Sequence, residues 1–160
     1  FALMARYPHT SALSGPGPVD YATVRAALER TGATVFAERP LDTLSGGERQ
    51  KVFIAAALAQ GAETLLLDEP TTFLDYRHQV EVMRLLHALR RDEEKTIVLV
   101  THDLNQGVAA CTHAMALRDG RAIFHGTPTE LLIPERLEAI YGTPFELLTR
   151  TDGGLLVAAL

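Results

Sequence analysis

Two five-residue stretches limit the possible folds more than anything else in this chain. Thr64-Leu65-Leu66-Leu67-Asp68 and Thr96-Ile97-Val98-Leu99-Val100 are apolar runs without polar alternation. Strands of that kind belong to parallel sheets covered on both faces. Between them, Asp75 can cap a long helix reaching about Arg91, with Val82, Met83, Leu86 and Leu89 turned inward. A strand, a helix and a strand in that order point to the α/β class, in which ligands gather at the carboxyl ends of the strands. At 160 residues and 47% hydrophobic, the chain is long enough for one compact domain with a real core. A net charge of -5 offers no cationic surplus for nucleic-acid phosphates or an anionic membrane. One cysteine, Cys111, excludes an internal disulfide, and no apolar run approaches the length of a membrane span.

The flanking segments complete the outline. Residues 7–18 cluster proline, glycine and serine and predict an exposed loop. Asp20 then reads as the N-cap of a helix to about Thr31, with Val24, Ala27 and Leu28 as its apolar stripe and Gly32 as its stop. Ser45 and Glu48 are spaced as a capping box for a helix closed by Gly61. A further helix is expected from Leu104 to Cys111. Residues 114–118 and 121–125 flank Asp119-Gly120, a strong two-residue hairpin signal. Thr127-Pro128-Thr129-Glu130 repeats the capping-box spacing, Tyr141-Gly142 reads as a helix stop, and two short strands are expected around Asp152-Gly153-Gly154. The expected architecture is a mostly parallel sheet covered by helices, with a C-terminal hairpin.

Three segments carry chemistry. Leu44-Ser45-Gly46-Gly47-Glu48-Arg49-Gln50 opens a helix, where glycines allow close approach and the helix end favours an anion. Read alone, an ordinary serine cap explains it equally well. Leu65-Leu66-Leu67-Asp68-Glu69-Pro70 delivers two adjacent carboxylates from a strand end: Asp68 suits a Mg²⁺ shell, and Glu69 suits polarising an attacking water. Thr101-His102-Asp103 follows the second strand; if the strands are neighbours, His102 lies near Glu69 and can address a terminal phosphate. Four other histidines, His78, His87, His113 and His125, lack metal-ligand spacing and read as surface or packing residues.

In order and spacing these segments resemble the ATP-binding cassette (ABC) ATPases, whose P-loop NTPase-like fold carries an LSGG signature, a Walker B strand with its glutamate, a D-loop and an H-loop histidine. Here they stand as Leu44 to Gln50, Leu65 to Glu69, Phe73-Leu74-Asp75 and His102. The resemblance implies that Ser45, Gly46, Gly47 and Glu48 meet an ATP held mainly by an opposite subunit, with Ser45 and Gly47 at its γ-phosphate. It implies that Asp68 supports Mg²⁺, that Glu69 is the catalytic base, that His102 senses the γ-phosphate, and that Asp75 couples two sites across a dimer. Arg6-Tyr7-Pro8-His9, Pro70 to Asp75 and Thr101 to Gln106 look like the importer branch that handles iron-siderophores, haem or cobalamin. The partners so implied are a second ATPase subunit, membrane permease subunits and, indirectly, a substrate-binding protein. The implied location is cytoplasmic, on the inner face of the membrane.

The family's Walker A motif, G-x-x-x-x-G-K-[ST], is absent from these residues. The two lysines, Lys51 and Lys95, sit in other surroundings, and the Q-loop is absent as well. The chain therefore reads as a C-terminal fragment: residues 1–61 belong to the helical signature subdomain and residues 62–160 to the ATPase core. Alone, it is expected to be inactive. Two alternatives stay open: a soluble, non-transport ABC ATPase, and a degenerate subunit that lends only its signature to a complete partner.

Overall fold

The computed structural model describes residues 1–10, 15–151 and 153–160; part of the loop expected over 7–18, and Asp152 of the last turn, lie outside these residues. The chain divides into two compact units, Phe1–Val100 and Thr101–Leu160.

The first unit opens with a 3-10 helix, Ala2–His9, so the segment expected as loop from Tyr7 is helical at its start. Helix α1, Pro18–Arg30, follows with Gly17 as its N-cap. Asp20 is therefore not the cap. Pro18, with its fixed φ, takes the first helical position, which moves Asp20 to the third, where its carboxylate accepts the Gly17 N–H at 2.9 Å. Val24, Ala27 and Leu28 are buried as expected, and Gly32 at φ +65° ends the run. Asp20 also receives Arg6 Nε at 2.9 Å, while Arg6 Nη1 donates to the Ala59 carbonyl at 2.7 Å. His9 Nε2 lies 2.7 Å from the Gln60 carbonyl oxygen. Arg6 and His9 thus fasten the C-terminal end of helix α2, Gly46–Ala59, whose last carbonyls have no partner within the helix. Helix α2 is the centre of this unit: Ile54, Ala55 and Ala59 are wholly buried, and α1, the 3-10 helix and helix α3, Tyr76–Glu93, pack around it.

Strands β1, Thr64–Asp68, and β2, Thr96–Val100, pair in parallel with Thr64 opposite Thr96 and Asp68 opposite Val100. Leu65 is buried, and Leu67, Ile97 and Leu99 pack against the same core as Val82, Leu86 and Leu89 of α3. Within the first unit, no described residue covers the opposite face. Leu66 is 75% exposed, Val98 46% and Val100 55%, which corrects the expectation that both faces are covered. A continuous apolar strand reports what it can bury, not whether the same chain supplies the cover.

In the second unit, helix α4, Leu104–Ala110, leads to the hairpin of β3, Ala114–Arg118, and β4, Arg121–Gly126. Asp119 and Gly120 turn it with φ +51° and +72°, the left-handed pair that a two-residue hairpin demands. Helices α5, Pro128–Leu131, and α6, Pro134–Tyr141, precede the antiparallel strands β5, Phe145–Thr149, and β6, Leu155–Ala159. Leu137, wholly buried, centres a small core with Leu131 and Val157. Asn105 grips β6 by its amide: Nδ2 donates to the Val157 carbonyl at 3.0 Å, and Oδ1 accepts the Val157 N–H at 2.8 Å. The α/β class stands as expected; among the described residues, the parallel part is the pair β1 and β2.

Candidate functional site

The start of α2 is a closed capping box. Glu48 Oε2 accepts the Ser45 N–H at 2.8 Å, and Ser45 Oγ accepts the Glu48 N–H at 3.4 Å. The bonds from Ser45, backbone first and hydroxyl second, hold the Glu48 carboxyl below its ordinary range. Helix geometry leaves the amides of Gly46 and Gly47 outside the ladder, so these remain the donors able to meet an incoming anion. The two glycines are not equivalent. Gly46 is exposed, whereas Gly47 is buried, and a Cβ on Gly47 would stand 2.3 Å from Cδ2 and 2.4 Å from Cγ of His78. Packing inside the chain therefore demands glycine at 47, whatever approaches from outside.

His78 connects this turn to the next. Asp75 caps α3: its Oδ1 accepts the His78 N–H at 2.9 Å, and its Oδ2 lies 2.9 Å from His78 Nδ1. The His78 backbone N–H, then its ring, hold the Asp75 carboxyl below the usual range. Further along α3, Glu81 takes Lys51 Nζ at 2.7 Å and Arg77 Nε at 3.0 Å. Lys95 donates to the Ala62 carbonyl at 2.7 Å. Each of the two lysines is engaged in a structural bond within the first unit.

Between β1 and α3 runs the turn that carries the paired acids. Asp68 is exposed at the carboxyl end of β1, and Glu69, half-buried, donates its N–H to the Val100 carbonyl at 2.9 Å. Glu69 and Phe73 take φ of +48° and +63°, left-handed values uncommon outside glycine and asparagine. Two hydrogen bonds close the first half of the turn: the Thr72 N–H to the Glu69 carbonyl at 3.2 Å, and Thr72 Oγ1 to Glu69 Oε2 at 2.7 Å. Gln79 Nε2 secures the second half by donating to the Leu74 carbonyl at 3.0 Å. The register sets the end of β1 beside the end of β2, the strand that leads to Thr101-His102-Asp103. In the second unit, His102 is exposed, and Asp103 Oδ1 caps α4 by accepting the Gln106 N–H at 3.0 Å.

The structure therefore brings Ser45, Gly46, Gly47, Glu48 and Asp75 together through His78, and sets Asp68 and Glu69 at the neighbouring strand end. Two residues carry no motif signal: His78, which lacks metal-ligand spacing and reads only as a surface or packing residue, and Thr72. The clue to each was position, three residues after an acid that needs a donor. Among the described residues no group of three or more His, Cys, Asp or Glu side chains could hold a metal. A lone exposed carboxylate such as Asp68 fits Mg²⁺ arriving with its phosphates and waters, not a protein-built cage.

A family profile described as ABC transporter matches residues 6–72. The iron(3+)-hydroxamate import ATP-binding protein FhuC of Bacillus subtilis (strain 168) is 44% identical over 90% of this chain and 54% of that protein. The ferric enterobactin transport ATP-binding protein FepC of Escherichia coli (strain K12) is 43% identical over 86% of this chain and 51% of its own length. A transporter described as metal-chelate type, solved facing inward, superposes with a TM-score of 0.89 at 31% identity, covering 99% of this chain and 63% of that one. The ATP-binding cassette MJ0796, solved as a dimer with ADP and Pi after hydrolysis, gives a TM-score of 0.64 at 30% identity over 79% of this chain and 56% of the other. The chain spans about half the length of the curated relatives it matches. The chain matches the ABC transporter family over residues 6–72, and its signature turn, strand-end acids and capped D-loop follow in that family's order.

Proposed function

We propose that the whole protein carrying this segment is the ATP-hydrolysing subunit of an importer for iron-siderophore, haem or cobalamin. In this reading residues 1–61 belong to the helical signature subdomain and residues 62–160 to the ATPase core. Two such subunits sandwich ATP, and they drive permease subunits served by a substrate-binding protein. The subunit works on the cytoplasmic face of the membrane; among the described residues no helix is long and apolar enough to cross one. The observation that carries the reading is the turn after β1, where Asp68 and Glu69 leave the sheet together with Glu69 tied to the end of β2.

Each residue has work suited to its setting. Asp68 would hold Mg²⁺, directly or through water, and the ion would offset phosphate charge. Glu69 orients and deprotonates the attacking water, and His102 donates to the terminal phosphate. Ser45 Oγ and the amides of Gly46 and Gly47 face the nucleotide of the opposite subunit, with Glu48 holding the shape of that turn. Asp75, tied to His78 beneath Gly47, links this turn to the one bearing Glu69. The names of relatives such as FhuC and FepC support the iron-chelate cargo.

Hydrolysis by the full-length protein tests this. Glu69→Gln is expected to lower kcat at least 100-fold while the protein still retains Mg-ATP, measured by nucleotide trapping on a filter. A Glu69→Gln protein with wild-type turnover would overturn the assignment of the base.

A further inference from the structure

We propose that Thr72 is a positioning residue for the Glu69 carboxylate. The inference rests on the reading of Glu69 as the base and names what aims it. Glu69 is held through both its backbone and its side chain. Its N–H is bound to the Val100 carbonyl at 2.9 Å, its carbonyl accepts the Thr72 N–H at 3.2 Å, and its Oε2 accepts the Thr72 hydroxyl at 2.7 Å. The left-handed φ of +48° at Glu69 is costly for a side-chain-bearing residue and persists only where neighbours over-determine it. The same residue, Thr72, supplies two of those restraints, one to the backbone and one to the side chain.

The consequence is orientational. A glutamate side chain has three rotatable bonds, and its carboxylate otherwise samples many directions. Bonded to a hydroxyl of its own turn, it is folded back onto residues 69–72 and held by groups within this chain. A carboxylate has about four acceptor sites, so the Thr72 donor does not exhaust its capacity to take a proton from water. Positional error at a reacting group lowers turnover steeply, while nucleotide binding depends on other groups. Loss of the hydroxyl should therefore appear in kcat and not in KM.

The test uses the full-length protein. Thr72→Val keeps the shape and removes the donor; kcat is expected to fall about tenfold, with the KM for ATP within twofold of wild type. Thr72→Ser keeps the hydroxyl and should restore kcat to within about threefold. Thr72→Ser and Thr72→Ala differ by that hydroxyl alone, so their ratio decides the matter should the valine variant fold poorly. Wild-type kcat in Thr72→Val and Thr72→Ala, in a protein that Glu69→Gln inactivates, overturns the positioning role. So does a loss that serine fails to rescue, or one shared equally by kcat and KM. Activity retained by Glu69→Gln would instead overturn the base itself, which keeps the two failures distinct.

Discussion

The two turns of the first unit that carry the candidate site residues are built in opposite ways. The turn at Ser45 is a relaxed helix start: its serine is in extended backbone, its capping box is closed, and its glycines have ordinary φ. The turn from Glu69 to Leu74 holds two non-glycine residues at positive φ within five positions, secured by Thr72 and Gln79. Glycine stands where packing forbids a side chain, and side chains stand where the backbone would prefer glycine. The first turn can form from its own sequence, whereas the second keeps its shape only through its neighbours.

The sharpest way to break the comparison is to exchange these preferences. Gly47→Ala places a methyl group 2.3 Å from the His78 ring and 2.9 Å from His78 Cβ, so the ring cannot simply swing aside. Overpacking of this kind costs about 1–3 kcal/mol. The loss should appear in the urea midpoint of the full-length protein, and most of it should vanish in Gly47→Ala/His78→Ala. An additive pair would mean that His78 is not what enforces glycine at 47.

Next in size is the serine cap. Ser45→Ala removes the acceptor for the Glu48 N–H and should cost about 1 kcal/mol, with Ser45→Gly costing less. Equal effects would show that the cap contributes through backbone geometry alone. At the strained turn the sign reverses. The Phe73 side chain is fully exposed, so Phe73→Gly discards little packing while relieving φ +63°. Relief of about 1–2 kcal/mol is offset by the roughly 0.4–1 kcal/mol that glycine's unfolded-state freedom costs. A net gain of about 0.5 kcal/mol in the same urea titration is expected. A clear loss would mean that the phenyl ring is held by contacts in the full protein.

What the sequence revealed, and what it hid, follows the same division. Caps and stops were legible because they depend on residues three or four apart: Ser45 with Glu48, Thr127 with Glu130, Asp75 ahead of α3, Gly32 and Gly142 at helix ends. Asp20 was displaced because two signals competed, and Pro18 outranked the acid for the first turn. The exposed face at Leu66, Val98 and Val100 was illegible because hydrophobicity does not name its cover. Within the candidate site, Asp68, Glu69 and Ser45 announced themselves by motif. His78 and Thr72 did not, since each acts through a contact that only the folded turn creates.

The smallest effect sharpens the comparison most finely, because it tests whether the relaxed turn depends on charge. Glu48 has a lowered carboxyl pKa in the folded chain, through the Ser45 N–H and then its hydroxyl. A group of that kind adds stability that is present above its unfolded pKa of about 4.3 and is lost as the pH falls through the folded value. Glutamine at position 48 can still accept the Ser45 N–H, so the capping box survives without the ionisable group. At neutral pH, Glu48→Gln should therefore shift the urea midpoint only slightly. Below about pH 4.5 the wild type should lose part of its advantage over the variant, and the two titration curves should converge. Curves that stay parallel from pH 7 to pH 3 would show that the carboxylate charge adds nothing to this turn, leaving serine and the helix backbone to shape it.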